Sequence, residues 1–265
     1  MITEENQTIL QKLEAKPLRN AMLLRALRLN PDSETVSVGD SVALKEKNSG
    51  MWFFSLAKEG DFSKLFERLP SPISYTFMIT DEAYYDEVCR VIPTAEGVRY
   101  CQFVIDSPRF ISEDRALPEG LELVKIDRSW MDFILEYYSS REFGNAEYVG
   151  RCLDENPAYG ALLNGEKVGF HLTHLNGEMG PIMVHPKARG MGLAKLMSHI
   201  ILPEYLDGCG IGAAMVLPTN DNCQRMVSGT NLKLAPECVI WIYAEHAESY
   251  VDEKIIIHEN KEKAQ

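Results

Sequence analysis

The sequence predicts an α+β protein built in two parts, a smaller α/β region over residues 1–117 and a larger region over residues 118–265. Three observations predict this. In the first part, two helical stretches are followed by the order strand, strand, helix, strand, helix, strand. In the second, strands joined by the hairpin signal Asn164-Gly165 alternate with helical patterns. Between them, residues 106 to 120 place Pro108, Pro118 and Gly120 around Ser112-Glu113-Asp114-Arg115, the composition of a connection.

The elements of the first part follow from local pattern. Ile9, Leu10 and Leu13, then Leu18, Met22, Leu23, Ala26 and Leu27, recur at helical spacing, interrupted at Pro17. Asn30-Pro31-Asp32 ends the run. Val36, Val38, Val42 and Leu44 read as strand, and so does Met51 to Leu56 after the turn Asn48-Ser49-Gly50. Asp61 is placed to cap a short helix through Phe66. Ser74 to Ile79 is rich in aromatic and β-branched residues and reads as strand. Asp81 to Ile92 reads as helix and Arg99 to Ile105 as strand. Trp52, Tyr75 and Tyr100 are assigned to the core, the usual place of strand aromatics.

In the second part, Leu121 to Ile126 alternates apolar and charged residues, as a half-buried strand does. Ser129 is placed to cap a helix through Trp130, Phe133, Ile134 and Tyr137, and Asn145 to Leu153 makes another, closed by Pro157. Tyr159 to Leu163 and Lys167 to Leu172 are the hairpin strands. Asn176-Gly177 offers a second turn before a strand from Gly180 to Val184. A long helix follows, ending at Asp207-Gly208-Cys209-Gly210, then a strand over Gly212 to Leu217. Thr219 to Asn222 opens a helix through Val227, and Cys238 to Tyr243 is read as the strand that closes this sheet.

Composition narrows the function. Hydrophobic residues make up 45% and charged residues 25%, ordinary for a soluble globular chain. The net charge of −12 argues against nucleic acid as the main partner. No apolar run approaches the ~20 residues of a membrane span, so no membrane partner is expected. The N-terminus, Met1-Ile2-Thr3-Glu4-Glu5, is acidic and unlike a signal peptide. Six scattered cysteines without a Cys-x-x-Cys pair point to free thiols in a reducing cytoplasm, and no metal site is expected.

The chemistry concentrates at residues 182 to 202. Ile182-Met183-Val184 ends a strand, and Pro186 stops the ladder because it has no N–H to give. Arg189-Gly190-Met191-Gly192 forms a loop, and Leu193, Leu196, Met197, Ile200 and Ile201 recur at helical spacing. Glycines before a helix N-terminus aim backbone N–H groups and the positive end of the dipole at a bound phosphate. A Walker loop is excluded by spacing. A dinucleotide fingerprint lacks its third glycine, because Lys195 stands there. The stretch Arg189-Gly190-Met191-Gly192-Leu193-Ala194 instead resembles the Arg/Gln-x-x-Gly-x-Gly/Ala signature of the GNAT acyltransferase superfamily. Asn220-Asp221-Asn222-Cys223 is similar to that family's Asn-x-x-Ser/Ala segment. Leu162 to Phe170 with Asn176-Gly177-Glu178-Met179-Gly180 is similar to the second and third strands of its glycine N-acyltransferase-like members.

The resemblance covers about residues 121 to 245. It implies a mixed, mainly antiparallel sheet flanked by helices and splayed between its fourth and fifth strands. It extends loosely to the N-terminal part, which is similar to the degenerate α/β domain that precedes the catalytic domain in those acyltransferases. It implies an N-acyltransferase using acetyl-CoA or another acyl-CoA as co-substrate, with a small-molecule amine or amino acid as acceptor; a homodimer is compatible with this. The amides of Arg189, Gly190, Met191, Gly192, Leu193 and Ala194 would hold the pyrophosphate. The backbone of Ile182, Met183 and Val184 would pair with the pantetheine, with an N–H near Met183 or Val184 facing the thioester oxygen. Asn220 joins the cofactor set. Glu178 matches the family's catalytic base, which an acceptor ammonium needs before it attacks. His171 and His174, on opposite faces of one strand, are its rivals, and His185 stands beside the loop. The tyrosine that many members use to protonate the leaving thiolate is replaced in register by Val227. A non-catalytic acyl-CoA-binding regulator and an interaction domain that binds no nucleotide remain the alternatives.

Overall fold

The two N-terminal helices separate where Pro17 interrupts the pattern: α1 spans Glu4–Glu14 and α2 Ala21–Leu29. Thr3 caps α1, its Oγ1 accepting from the Asn6 amide at 3.1 Å. The computed structural model of the protein describes residues 2–70, 73, 76–109, 117–138, 144–227 and 230–244. The C-terminal triplet Ile255-Ile256-Ile257 and Tyr75 lie outside these residues. By contact the chain falls into two compact units, 1–104 with 215–221 and 233–265, and 105–214 with 222–232.

In the first unit, β1 (Thr35–Val38) and β2 (Ser41–Lys45) form a hairpin at Gly39, whose φ of 57° suits glycine. β3 (Trp52–Ser55) follows, then α3 (Asp61–Glu67), β4 (Thr76–Ile79), α4 (Tyr85–Val91) and β5 (Glu96–Ile105). Late in the chain come β11 (Lys233–Leu234) and β12 (Val239–Tyr243), and β10 (Gly212–Val216) crosses the boundary between the units after Ala214. The sheet order is β1-β2-β3-β4-β12-β5-β10, with β11 also on β5. The strand at 239–243, expected to close the sheet of the second part, instead lies antiparallel between β4 and β5. Its four buried residues, Val239-Ile240-Trp241-Ile242, suit a strand with neighbours on both sides. Trp52 is fully buried, and Phe54, Phe62 and Phe77 meet at ring distances of 5.1 to 6.0 Å.

The cap expected from Asp61 comes from elsewhere. Gly60 is the N-cap of α3, at φ 83°, and Asp61 is buried, accepting from the Ser41 hydroxyl at 2.6 Å. The buried carboxylate of Glu87 on α4 accepts instead from the amides of Gly60, Phe62 and Ser63 at 3.0, 2.9 and 3.3 Å. A long-range acid thus satisfies the open donors of the helix start.

The second unit holds a four-stranded antiparallel sheet, β6 (Leu121–Lys125), β7 (Tyr159–Leu163), β8 (Glu166–Thr173) and β9 (Met179–Val184), in that order. The β7–β8 turn is the predicted one: Asn164 and Gly165 both have positive φ, 51° and 80°. A bulge at Val168 shifts the register, so Gly169, His171 and Thr173 face one side and Phe170 and Leu172 the other. One side packs α5 (Met131–Tyr137) and α6 (Ala146–Glu155) through Ile134, Val149, Phe170, Leu172 and Met183. The other packs α7 (Leu193–Tyr205) through Val168, Leu193, Leu196, Met197, Ile182 and Val184. Burying each such side chain contributes ~1.5–3 kcal/mol. The cap before α5 is Asp127, which accepts from the Ser129 amide at 2.8 Å, so Ser129 is the capped residue and not the cap. A last helix, α8 (Asp221–Val227), follows β10. Among the described residues no helix is long and apolar enough to cross a membrane.

Candidate functional site

Three pieces of the second unit carry the predicted site: the loop before α7, the outer edge of β9, and the turn between β8 and β9. The loop begins where Pro186 ends the ladder in a short 3₁₀ turn, Pro186–Ala188, which the His185 ring caps by accepting from the Lys187 amide at 3.2 Å. Arg189, expected to offer its amide to the pyrophosphate, instead donates it to the Pro186 carbonyl at 3.3 Å to close the 3₁₀ turn, and its Nε donates to the Val184 carbonyl at 3.2 Å. Gly190 and Gly192 are left-handed, at φ 81° and 78°. A side chain at Gly190 would meet nothing within 4 Å, so the backbone angle, not crowding, favours glycine there.

Among the described residues, the amides of Gly190, Met191, Gly192, Leu193 and Ala194 have no acceptor; the first amide to close a turn is that of Leu196, on the Gly192 carbonyl at 3.1 Å. The first turn of α7 holds no acidic side chain that would fill this positive end. Five consecutive donors around two left-handed glycines, at the start of a 13-residue helix, suit a diphosphate.

β9 is the last strand of its sheet, so one edge is open. Which groups face that edge follows from the ladder. The His185 amide donates to the Val168 carbonyl at 2.8 Å, which makes His185 and Val168 a hydrogen-bonded pair. In an antiparallel ladder such pairs alternate, so Met183 turns its N–H and C=O to Phe170 of β8. Ile182 and Val184 turn theirs outward; the Arg189 contact to the Val184 carbonyl agrees. Of the three residues expected along the pantetheine, Met183 therefore has its backbone engaged within the sheet. A bulge sets Gly180 and Pro181 opposite Leu172.

The turn carries Glu178, which is half-buried. Its carbonyl accepts from the His174 amide at 2.9 Å, and its own amide donates to Asn176 Oδ1 at 2.9 Å. α6 holds this turn. Tyr148 Oη lies 2.8 Å from His174 Nδ1 and accepts from the Leu175 amide at 3.3 Å, while Asn156 Nδ2 donates to the His174 carbonyl at 3.3 Å. Burial pushes His174 down to about 4, raises the Tyr148 phenol, and pushes the Cys152 thiol beside it up to about 12. Tyr138 also stands by His174, with ring centroids 6.4 Å apart. Tyr148 and Asn156 went unrecognised in the sequence, because their meeting with His174 spans 26 and 18 residues.

The rivals to Glu178 separate as their spacing predicts. His171 faces α7, fully buried, with Nδ1 3.4 Å from Ser198 Oγ, and burial holds it neutral at about 3. His174 faces α6. The His185 ring packs edge-on against Tyr137 at 5.5 Å, and its Nδ1 is engaged by the Lys187 amide. Asn220 belongs to the other compact unit, where it is exposed and donates its amide to the Leu217 carbonyl at 2.9 Å. The structure thus brings Ile182, Val184 and Arg189 to Ala194 together along one end of β9 and sets Glu178 at the other. Glu178 and Val184 are six positions apart along the chain, at most about 20 Å, the length scale of a pantetheine arm.

No protein-family model matches the sequence, and no curated protein matches it. Solved structures do. A Drosophila protein determined by a structural genomics consortium is similar at a TM-score of 0.67 and 13% identity, over 91% of this chain and 96% of its own. A GCN5-related N-acetyltransferase from Kribbella flavida gives 0.53 and 12%, over 88% and 96%. A GCN5-related N-acetyltransferase-like protein from Streptococcus suis gives 0.50 and 16%, over 87% and 97%. At these identities the likeness establishes the fold: over most of its length the chain has the mixed α+β architecture of GCN5-related N-acetyltransferases.

Proposed function

We propose that the protein is an acyl-CoA-dependent N-acyltransferase, most simply an N-acetyltransferase, acting on the amine of a small molecule or amino acid. One observation carries the reading: the amides of Gly190 to Ala194 are open at the start of α7, with no acid in its first turn. Those amides would hold the diphosphate of coenzyme A. The outward N–H and C=O groups of Ile182 and Val184 would pair with the pantetheine and extend the sheet by one pseudo-strand. Bound acyl-CoA supplies an activated thioester carbonyl. The Ile182 amide, next to the bulge and on the Glu178 side, is the better-placed oxyanion donor. Glu178 takes the proton from the acceptor ammonium, so that positioning and this electrostatic support supply most of the rate.

The glycine N-acyltransferase-like group is the proposed neighbour within the superfamily, on the strength of the Asn176 to Gly180 turn. The cytoplasm is the proposed compartment, and a homodimer is compatible with all of this. One feature favours a second reading, a non-catalytic acyl-CoA-binding regulator: Val227, where many members place a tyrosine acid, is a buried apolar side chain of α8. The test is a thermal shift with acetyl-CoA followed by release of free CoA thiol with a panel of amines. A ligand at ~100 times its dissociation constant adds ~2.7 kcal/mol of stability. Binding with turnover, lost in Glu178→Gln at unchanged affinity, supports the enzyme; binding without turnover supports the regulator; no binding overturns both.

A further inference from the structure

The first unit contains a pair of thiols that the proposed acyl transfer does not use. β5 and β12 pair antiparallel from Glu96 opposite Tyr243 to Tyr100 opposite Val239. Beyond Val239 the register breaks: the Ala235 amide donates to the Gln102 carbonyl at 2.9 Å, so Pro236, Glu237 and Cys238 lie opposite the single residue Cys101, with Cys238 next to the last paired residue. The Cys238 carbonyl accepts from the Glu82 amide at 3.0 Å, so it points away from β5. Cys238 thus stands beside Cys101 and within electrostatic reach of it; facing residues of a non-hydrogen-bonded pair have Cα atoms about 4.5 Å apart. That lies inside the ~4.4–6.8 Å that a disulfide spans, at its short end. Both residues are free thiols and partly exposed. Arg99, two residues before Cys101 and so on the same face, engages the Cys238 sulfur and pairs with Glu82 at 2.7 Å. Burial raises the Cys238 thiol, and the Arg99 charge offsets part of that rise.

We propose that Cys101 and Cys238 form a redox modification site: a cross-strand dithiol that a low-molecular-weight disulfide of the glutathione class converts reversibly to an intrasheet disulfide. The Cys238 thiolate attacks one sulfur of the oxidant, and the departing glutathione thiolate takes up a proton. The Cys101 thiolate then attacks the Cys238 sulfur of the mixed disulfide and expels the second glutathione. The protein loses two hydrogens and two electrons, and one oxidised glutathione becomes two reduced ones. Excess thiol reverses the two exchanges in the opposite order. The inference is independent of the acyl-transfer reading.

The test uses the full folded chain in glutathione buffers of rising oxidised share, with free thiols alkylated before intact-mass measurement and non-reducing peptide mapping. The expected result is the loss of two hydrogens, a linked Cys101–Cys238 peptide, the other four cysteines alkylated, and full reversal in excess reduced glutathione. Cys101→Ser is expected to stop at one glutathione adduct on Cys238. Two results overturn the proposal: both cysteines still alkylated in the most oxidising buffer while circular dichroism is native, or adducts and links that do not join these two residues. The wild-type map decides the matter even if the variant does not fold.

Discussion

Replacing Tyr148 by phenylalanine removes one oxygen and keeps the ring, which isolates what the α6 contact does for the Glu178 turn. The Leu175 amide donates into that oxygen at 3.3 Å, so the phenol proton points to His174 Nδ1 at 2.8 Å. Nδ1 is then an acceptor, and the imidazole is neutral with its proton on Nε2, in keeping with a ring held at about 4 by burial. The phenylalanine leaves a buried acceptor and a backbone donor without this partner. Each orphan costs about 1–3 kcal/mol, and relaxation recovers part of it, so a net of about 2 kcal/mol is expected. A chain of two compact units need not unfold in one step, so the loss is best read locally. Native-state hydrogen exchange at the Leu175 amide is expected to speed up about 30-fold, the factor that 2 kcal/mol implies. An exchange rate within about twofold of wild type would refute the reasoning, as would an equal rise at every amide of the unit. If the acyl-transfer reading holds, the same variant lowers kcat more than it weakens acetyl-CoA binding.

Acid should weaken the fold through two histidines. Burial depresses His171 to about 3 and His174 to about 4 from an ordinary 6.5. The unfolded chain therefore takes up protons first, and the stability present above pH 6.5 falls as the pH drops toward 4. About 2 kcal/mol per histidine is lost by pH 5, read as a falling urea midpoint; a flat midpoint from pH 7 to 5 contradicts it. Gly212→Ala drives a methyl group into the Tyr205 hydroxyl, which holds the Gly177 carbonyl at 2.8 Å and the Ala213 amide at 3.1 Å. Overpacking of this kind costs about 1–3 kcal/mol, and a melting temperature equal to wild type would show that the ring can move aside. Gly190→Ala forces a left-handed alanine at about 1–2 kcal/mol without a clash. Acetyl-CoA affinity is expected to fall about tenfold at unchanged far-ultraviolet circular dichroism, because the loop amides re-aim; equal affinity counts against the loop as the diphosphate grip.

What the sequence made legible was local. The hairpin at Asn164-Gly165, the break between the N-terminal helices at Pro17, and the loop that opens α7 each depend on a few consecutive residues, and each stands where its residues put it. The errors share one cause, partners distant in the chain. Asp61 looked like a cap because nothing near it revealed Glu87 on α4. The strand at 239–243 followed the second part in sequence, yet its all-apolar pattern fits any position with neighbours on both sides, and pattern alone does not choose the sheet. At the site, spacing separated His171 from His174 correctly, since opposite faces of a strand need only a parity count. That Met183 turns inward needed the pairing partner, because register on β8 decides which amides reach the open edge.

The place of β12 has a consequence for how the chain is made. β4 and β5 leave the ribosome early, but the strand that must lie between them emerges roughly 130 residues later. At synthesis rates of about 5–20 residues per second that delay is on the order of ten seconds. Throughout it, two apolar strand edges wait without their mutual neighbour, open to adventitious partners. The N-terminal sheet therefore cannot be finished co-translationally in order. Its completion is tied to near-full-length synthesis.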